Sequence, residues 1–333
     1  MFSRLRLHNL PGVLSNLVAV GLVIAMALAA LVLRRVDPIP LQNLRLAQFD
    51  QLQRWYPRAY SPVGVRVVDI DEASLKEYGQ WPWPRTRLAE LVSRLHSAGA
   101  AVVVFDVLLA EPDRTSPARM AQLWNDPKVS ALLQTLPDND LVLQKSFEAQ
   151  NVVLGSSLAR SGQRADPLNG PGKPDLPYRI IHDGGGDPAR WLNAFDSIVL
   201  PLPHLMVSAK GVGALNFASD ADGVVRRVPM LVRLGNDIVP SLSAEALRVA
   251  HGTRNYVLRS NDAGMTDVRI GDLTVPTDSK GEIWLYYTRP QPDRYVSAAR
   301  VLDGQVGKEK LEGDIVLVGS SAAGLMDLRF SPM

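Results

Sequence analysis

The stretch VGVRVVDIDEASLKEYGQWPWPRTRLAELVSRLHSAGAAVVVFDVLL, residues 63–109, decides the fold. Residues 63–70 form a short valine-rich run that stops at acidic residues, the composition of a strand and its end. Leu88, Leu91, Val92 and Leu95 then recur at spacings of three and four, which gives a helix one apolar face, and Gly99 terminates it. AVVVFDVLL follows, an almost continuous apolar run between Gly99 and Glu111-Pro112, as a strand buried on both faces requires. Strand, helix and strand at these lengths predict a βαβ unit and, with it, a parallel sheet.

Two Trp-Pro steps stand just before the helix. Pro82 and Pro84 fix φ near about −65° and push the residues before them out of the α region, so Trp81 and Trp83 sit on a stiff extended segment. Their indoles are expected to cover the sheet edge and anchor the strand-to-helix crossover. The functional alternative is an aromatic wall for a cation or a stacked ring.

Further along, SPARMAQLWNDPKVSALLQTL offers two helical pieces split by Pro127, and NVVLGSSL another short strand. Residues 162–187 carry many Gly and Pro and little period, a long surface excursion with at most a brief strand at 178–182. GVGALNFASDADGVVRRVPMLVRL reads as a strand, a turn around Asp222-Gly223 and a second strand, in which Pro229 favours an edge or bulge. In PSLSAEALRVAHG, Ser241 can cap a short helix with Leu242, Ala246 and Leu247 facing inward, and Gly252 ends it. EIWLYYTR and DIVLVGSSAAG close the chain as strands.

In the other direction, LSNLVAVGLVIAMALAALVL, residues 14–33, carries no charge over about the length a helix needs to cross a bilayer. A signal peptide cleaved near Ala27-Leu28-Ala29 is the rival, but the apolar run continues through Leu33 and favours a span. Arg4 and Arg6 precede it while Arg34 and Arg35 follow, so charge does not orient it. Residues 34–58 read as a juxtamembrane helical segment with Leu44, Phe49, Leu52 and Trp55 along one side, ended by Tyr56-Pro57. The expected fold is α/β, a mixed but largely parallel sheet flanked by helices, with one N-terminal transmembrane helix. The chain then divides into residues 1–13, the span 14–33, the segment 34–58 and a large domain over 59–333.

Composition narrows the function. With 36 basic against 34 acidic residues, interspersed without a basic stripe, nucleic acid is not an expected partner. There is no cysteine, which removes disulfides, thiolate catalysis and Cys-ligated metals. The five histidines are widely spaced with no H-E-x-x-H, and neither GSSL nor GSSAAG is a G-x-S-x-G elbow. SDADG fails as an EF-hand because Gly223 comes too early and no Glu stands at the required distance, and GSSAAG lacks the Lys of a phosphate loop. Arg226 and Arg227 alternate at strand spacing, which places them on opposite faces.

The segment VVDIDEASLKEYGQWPWPRTRLAELVSRLHSAGAAVVVFDVLLAEPD closely resembles the start of the CHASE2 domain, an extracytoplasmic sensory module of bacterial adenylate or guanylate cyclases and of some receptor kinases. The resemblance continues through NVVLGSS, GALNFASDADGVVRRVPML, PSLSAEALRVA, LYYTRPQPDRYVSAARVLDG and GDIVLVGSSAAGLMDLRFSPM, covering roughly residues 37–333 in the family order. It implies a cytoplasmic N-terminus at a bacterial inner membrane, a periplasmic domain, and further helices that lead to an enzymatic output beyond these residues. It also implies a homodimer, since cyclase outputs commonly need paired catalytic domains. The juxtamembrane helix and Trp124 with the loop before it are the candidate contacts, membrane lipid is a second partner, and the sensed periplasmic ligand is unknown.

Asp69, Asp71 and Asp106 fall at or near the carboxyl ends of two strands expected to be neighbours, where open α/β sheets place their ligands. Glu72, Glu111 and Asp113 follow them in sequence, and Asp327 lies just past the last strand beside Arg329. These seven carboxylates are the candidate ligand or cation cleft, with Trp81 and Trp83 as its scaffold or wall. No cofactor is required; if Asp69, Asp71 and Asp106 share an ion, oxygen-only ligands select calcium or magnesium. In the simpler reading Asp69 or Asp71 caps the next helix and Asp106 pairs with Arg85 or Arg87. The leading function is thus a non-catalytic sensory input module, with a metal-dependent periplasmic enzyme or a structural partner-binding module as alternatives.

Overall fold

The computed structural model describes residues 10–123, 126–160, 177–217, 220, 222–322 and 330–333. The chain forms two compact units, Met1–Pro57 with Met333, and Arg58–Pro332. The first holds α1 (Leu10–Val36) and α2 (Ile39–Trp55). Within α1, Ser15–Val36 spans 22 residues, about 33 Å of helix and uncharged before Arg34, enough for a hydrocarbon core of about 30 Å. Asp37 breaks the helix with φ +45, and its carboxylate takes the Arg45 guanidinium at 2.7 Å at the start of α2.

The second unit is built on a sheet of seven strands among the described residues. Its members are β1 (Val65–Asp69), β2 (Val102–Leu108), β3 (Val152–Ala159), β6 (Ser197–Val199), β7 (Gly211–Ala214), β15 (Tyr295–Ser297) and β16 (Ile315–Gly319). The parallel order is β15-β1-β16-β2-β3-β7, with β6 antiparallel to β3. β1 and β2 are parallel as expected but not adjacent: β16 lies between them, with Val67 and Val104 both opposite Leu317. Sequence proximity favours neighbours, yet the last strand is as apolar as β2 and takes the position buried on both faces.

β2 shows why its run is unbroken. Val103 and Phe105 enter one core and Val102 and Val104 another, so both faces of the strand are covered. The first core is closed by α3 (Glu72–Tyr78), α4 (Arg85–Ser97), α7 (Asn139–Ser146), α8 (Pro203–Ser208) and α10 (Ala298–Leu302). Leu88, Leu91, Val92 and Leu95 of α4 are fully buried in it, and Gly99 follows with φ +83. The opposite face is covered by α9 (Leu242–Ala250), capped by Ser241 through the Ala244 N–H, with Leu242 and Ala246 inward. α5 (Pro117–Ala121) and α6 (Pro127–Gln134) are the two expected pieces, α6 starting at Pro127 with Asp126 as its cap.

Smaller sheets flank this core. β4 (Arg179–Gly184), β11 (Asn255–Asn261), β12 (Gly264–Ile270) and β13 (Leu273–Pro276) form one, in the order β13-β12-β11-β4. β5 (Ala194–Phe195), β9 (Leu231–Leu234) and β10 (Asp237–Pro240) form a second. β8 (Arg227–Pro229) and β14 (Glu282–Trp284) form an antiparallel pair, so the strand expected over EIWLYYTR is only three residues long. Met230 separates β8 from β9, a break beside Pro229 that fits proline's missing N–H.

Candidate functional site

The carboxyl ends of β1, β16 and β2 form one rim. Asp69 ends β1 directly opposite Gly319, the last residue of β16. On the other side, a Cβ placed on Gly319 would stand 3.6 Å from the Asp106 Cβ. The parallel sheet therefore sets Asp69 and Asp106 to either side of one glycine.

The acidic side chains of this rim have separate tasks. Asp69 accepts from the Ser321 N–H at 2.8 Å and from its hydroxyl, which pins the chain leaving β16, while Ser320 Oγ donates to the Ile70 carbonyl at 3.0 Å. Asp71 caps α3: its Oδ1 accepts the Ser74 N–H at 2.8 Å, the Ser74 hydroxyl at 2.6 Å and the Ser297 hydroxyl at 3.0 Å. Burial pushes the Asp71 carboxyl up, but the hydrogen bonds from Ser74 and Ser297 outweigh it and hold it below the usual range. Glu72 is exposed in the first turn of α3, where the helix dipole favours a carboxylate. Among the described residues no three His, Asp or Glu side chains are placed to hold a metal ion, so the Asp69, Asp71 and Asp106 set has no geometric support as a calcium or magnesium site.

Asp113 belongs to a different place. Its Oδ2 accepts the Arg85 N–H at 2.7 Å, supplying the cap that Pro84 cannot, and its Oδ1 accepts from Thr115. Arg85 does not turn to Asp106: its Nε lies 3.3 Å from Asp140, and it also donates to the Glu111 carbonyl at 3.1 Å. Arg87 pairs with Glu90 at 2.8 Å. Arg85, Asp113, Asn139 and Asp140 are all buried, and the hydrogen bonds to Asp113 overcome its burial and lower its carboxyl. Glu111 thus contributes its backbone, and Asp327, with Arg329, lies outside the described residues.

Trp83 is core. It is 2% exposed, its indole N–H donates to the Gly79 carbonyl at 2.8 Å, and Tyr78 meets it edge-on with centroids 6.0 Å apart. Trp81, across a cis bond to Pro82, packs partly buried on the same cluster, 6.1 Å from Trp83. Outside them, Arg87 stacks on Tyr78 at 4.5 Å, and Asp303, accepting from the Tyr78 hydroxyl, pushes its phenol up to about 12. The Trp-Pro segment thus anchors the crossover.

A second cluster has no precursor among the expected sites. Arg226, only 1% exposed, donates from Nη1 to Asp220 at 2.9 Å and Asp222 at 3.0 Å, and from Nη2 to Asp222 at 2.7 Å. Arg227 reaches the same Asp220 carboxylate, lies 3.5 Å from Glu282 and covers the Trp284 ring at 5.0 Å. Two arginines expected to diverge thus converge on Asp220, because Arg226 lies before β8, where strand alternation does not apply, and the turn at Gly223 (φ +80) brings the acidic residues back to the pair. The sequence signal for this cluster is two spaced acids, a glycine and an Arg pair, a pattern that is not a calcium loop but supplies both signs of charge at a turn.

The CHASE2 domain family model matches residues 22–333, a range that begins inside α1 and ends at the last residue. No significant match appears among curated proteins or solved structures. An apolar helix able to span a membrane, followed by this domain on the extracytoplasmic side, is the architecture of a sensory module of a membrane receptor. With nearly its whole length inside the match, the chain belongs to the CHASE2 domain family.

Proposed function

We propose that this chain is the input portion of a bacterial inner-membrane receptor whose output is an adenylate or guanylate cyclase, and that it works as a homodimer. The observation that carries the reading is the family match over residues 22–333, a range that takes in most of the apolar segment Ser15–Val36. A domain tied to the membrane turns a periplasmic ligand or a packing change into movement of its connecting segments, and pairing lets that movement bring two output domains together. The acidic rim of Asp69 and Asp106, at the strand ends, is the proposed place for the ligand.

The test is expression of the complete native reading frame in a host without its own nucleotide cyclases, with cAMP and cGMP measured beside residues 1–333 alone. We expect one cyclic nucleotide to rise with the former and neither with the latter. A reading frame that raises neither removes the cyclase output, and turnover by residues 1–333 overturns the division between input and output.

A further inference from the structure

The Arg226 cluster sits on a lattice that joins the two ends of the domain. On the incoming side, the Arg58 N–H donates to the Tyr287 carbonyl at 2.8 Å, and Arg58 bridges Thr288. On the outgoing side, the Val225 N–H donates to the Phe330 carbonyl at 2.9 Å, and Val224 bridges Phe330. Between them, the Tyr287 hydroxyl donates to the Val225 carbonyl at 2.7 Å and the Leu285 N–H to the Arg226 carbonyl at 2.8 Å. From Arg58 to Phe330 the path crosses only two short segments, 285–288 and 224–226.

We infer that the clasp formed by Arg226 with Asp220 and Asp222 fixes the position of the outgoing segment relative to the incoming one, and is the joint through which the state of the domain reaches the membrane. The segment 224–226 precedes β8 and is hydrogen-bonded along its backbone: the Val224 N–H donates to Asp222 and the Val225 N–H to Phe330, while the Val224, Val225 and Arg226 carbonyls accept from Asp220, Tyr287 and Leu285. The Arg226 guanidinium, locked between two carboxylates of the preceding turn, fixes that turn against the segment, while Arg227 joins Asp220 to Glu282 on β14. Asn193 in turn donates to Glu282 at 2.7 Å, so the clasp also senses the segment before β5. A planar guanidinium can satisfy both carboxylates at once, which a lysine cannot do in the same geometry. The joint rests on the sensory reading of the chain, but its geometry is measured without any output.

The chain has no cysteine, so Ala59→Cys with Ser331→Cys introduces one pair of spin labels at exposed positions beside the two ends. Distances are read by pulsed electron paramagnetic resonance on the full chain in nanodiscs. We expect a narrow distribution for the parent pair and a distinctly broader one in Arg226→Lys and in Asp222→Asn. The exposed pair Arg259 and Asp183, 3.0 Å apart on β11 and β4, is the control, and Arg259→Gln should leave the distribution unchanged. Arg226→Lys removes a buried group; Asp222 is 48% exposed, so Asp222→Asn keeps the fold and still decides the question. A parental distribution in folded Asp222→Asn overturns the joint, as does equal broadening in the control. Absence of cyclase output with broadened distances instead leaves the joint standing and removes the output reading.

Discussion

The Asp71 carboxylate gathers three donors from two elements, the first turn of α3 and the end of β15, so one side chain ties the βαβ unit to the edge strand. Because its folded carboxyl titrates below the unfolded value of about 3.9, it binds fewer protons folded than unfolded in that range. The stabilisation is complete above the unfolded value and is lost as pH falls through the folded one. Asp113 has the same sign and loses its hold on Arg85 in the same window. Thermal unfolding followed from neutral pH down to about pH 2 should show a steep acid limb below about pH 4, shallower in Asp71→Asn. Asp71→Ala should cost about 1 kcal/mol at neutral pH through loss of the cap. An unchanged acid limb in Asp71→Asn would assign the limb to other carboxylates. A cap from Asp69 or Asp71 was legible, since Asp is a preferred residue just before a helix; the reach of Asp71 to Ser297 was not, because nothing local says that β15 flanks β1.

At the scale of elements, α9 and β7 illustrate what alternation encodes. Gly211 and Gly213 are two apart and so share one face of β7, where α9 lies against them. A Cβ on Gly213 would come within 2.6 Å of the Leu242 Cα and 2.8 Å of its N, backbone that cannot step aside. Behind this contact, Glu245 is fully buried and takes Arg248 at 2.7 and 2.8 Å and the Tyr256 hydroxyl at 2.6 Å. Arg248 also donates to the Lys210 and Thr253 carbonyls at 2.7 and 2.8 Å, so each of its three guanidinium nitrogens has a partner. Burial, with the Glu245 charge beside it, drives the Tyr256 phenol well up, so it stays a neutral donor. Gly213→Ala should destabilise by about 1–3 kcal/mol, lowering Tm by several degrees, whereas Gly185→Ala, with open space around it, should be neutral. Equal melting of the two variants in differential scanning calorimetry would refute the close approach. The apolar face of α9 was readable from its period, but Glu245 and Arg248 were not readable as buried. A charged pair at i and i+3 looks solvated until a partner such as Tyr256 is brought in from another strand.

At the scale of the whole molecule, what could be read followed from periodicity, and what could not followed from topology. The βαβ unit, the short α9 and the apolar helix each lie within one window of sequence. The insertion of β16 between β1 and β2 depends on contacts made across the fold, and the convergence of Arg226 and Arg227 on Asp220 depends on a tight turn that strand periodicity does not report. The same distinction bears on assembly. The segment Ser15–Val36 carries no charge before Arg34 and has no residue of its apolar window buried within its own chain, so in a bilayer its neighbours are lipid or another helix. Two-fold pairing is the commonest closed assembly, and it is the one that would give paired outputs one input each. The full chain extracted in detergent micelles should therefore behave as a dimer in analytical ultracentrifugation across a dilution series, dissociating only at the lowest concentrations. Removal of residues 1–57, which form a compact unit of their own, should shift the remaining domain toward monomer if the helical unit supplies the main contact. A full chain that sediments as a monomer at every concentration would overturn the assembly, and a truncated domain that stays fully dimeric would move the interface onto the sheet-bearing unit.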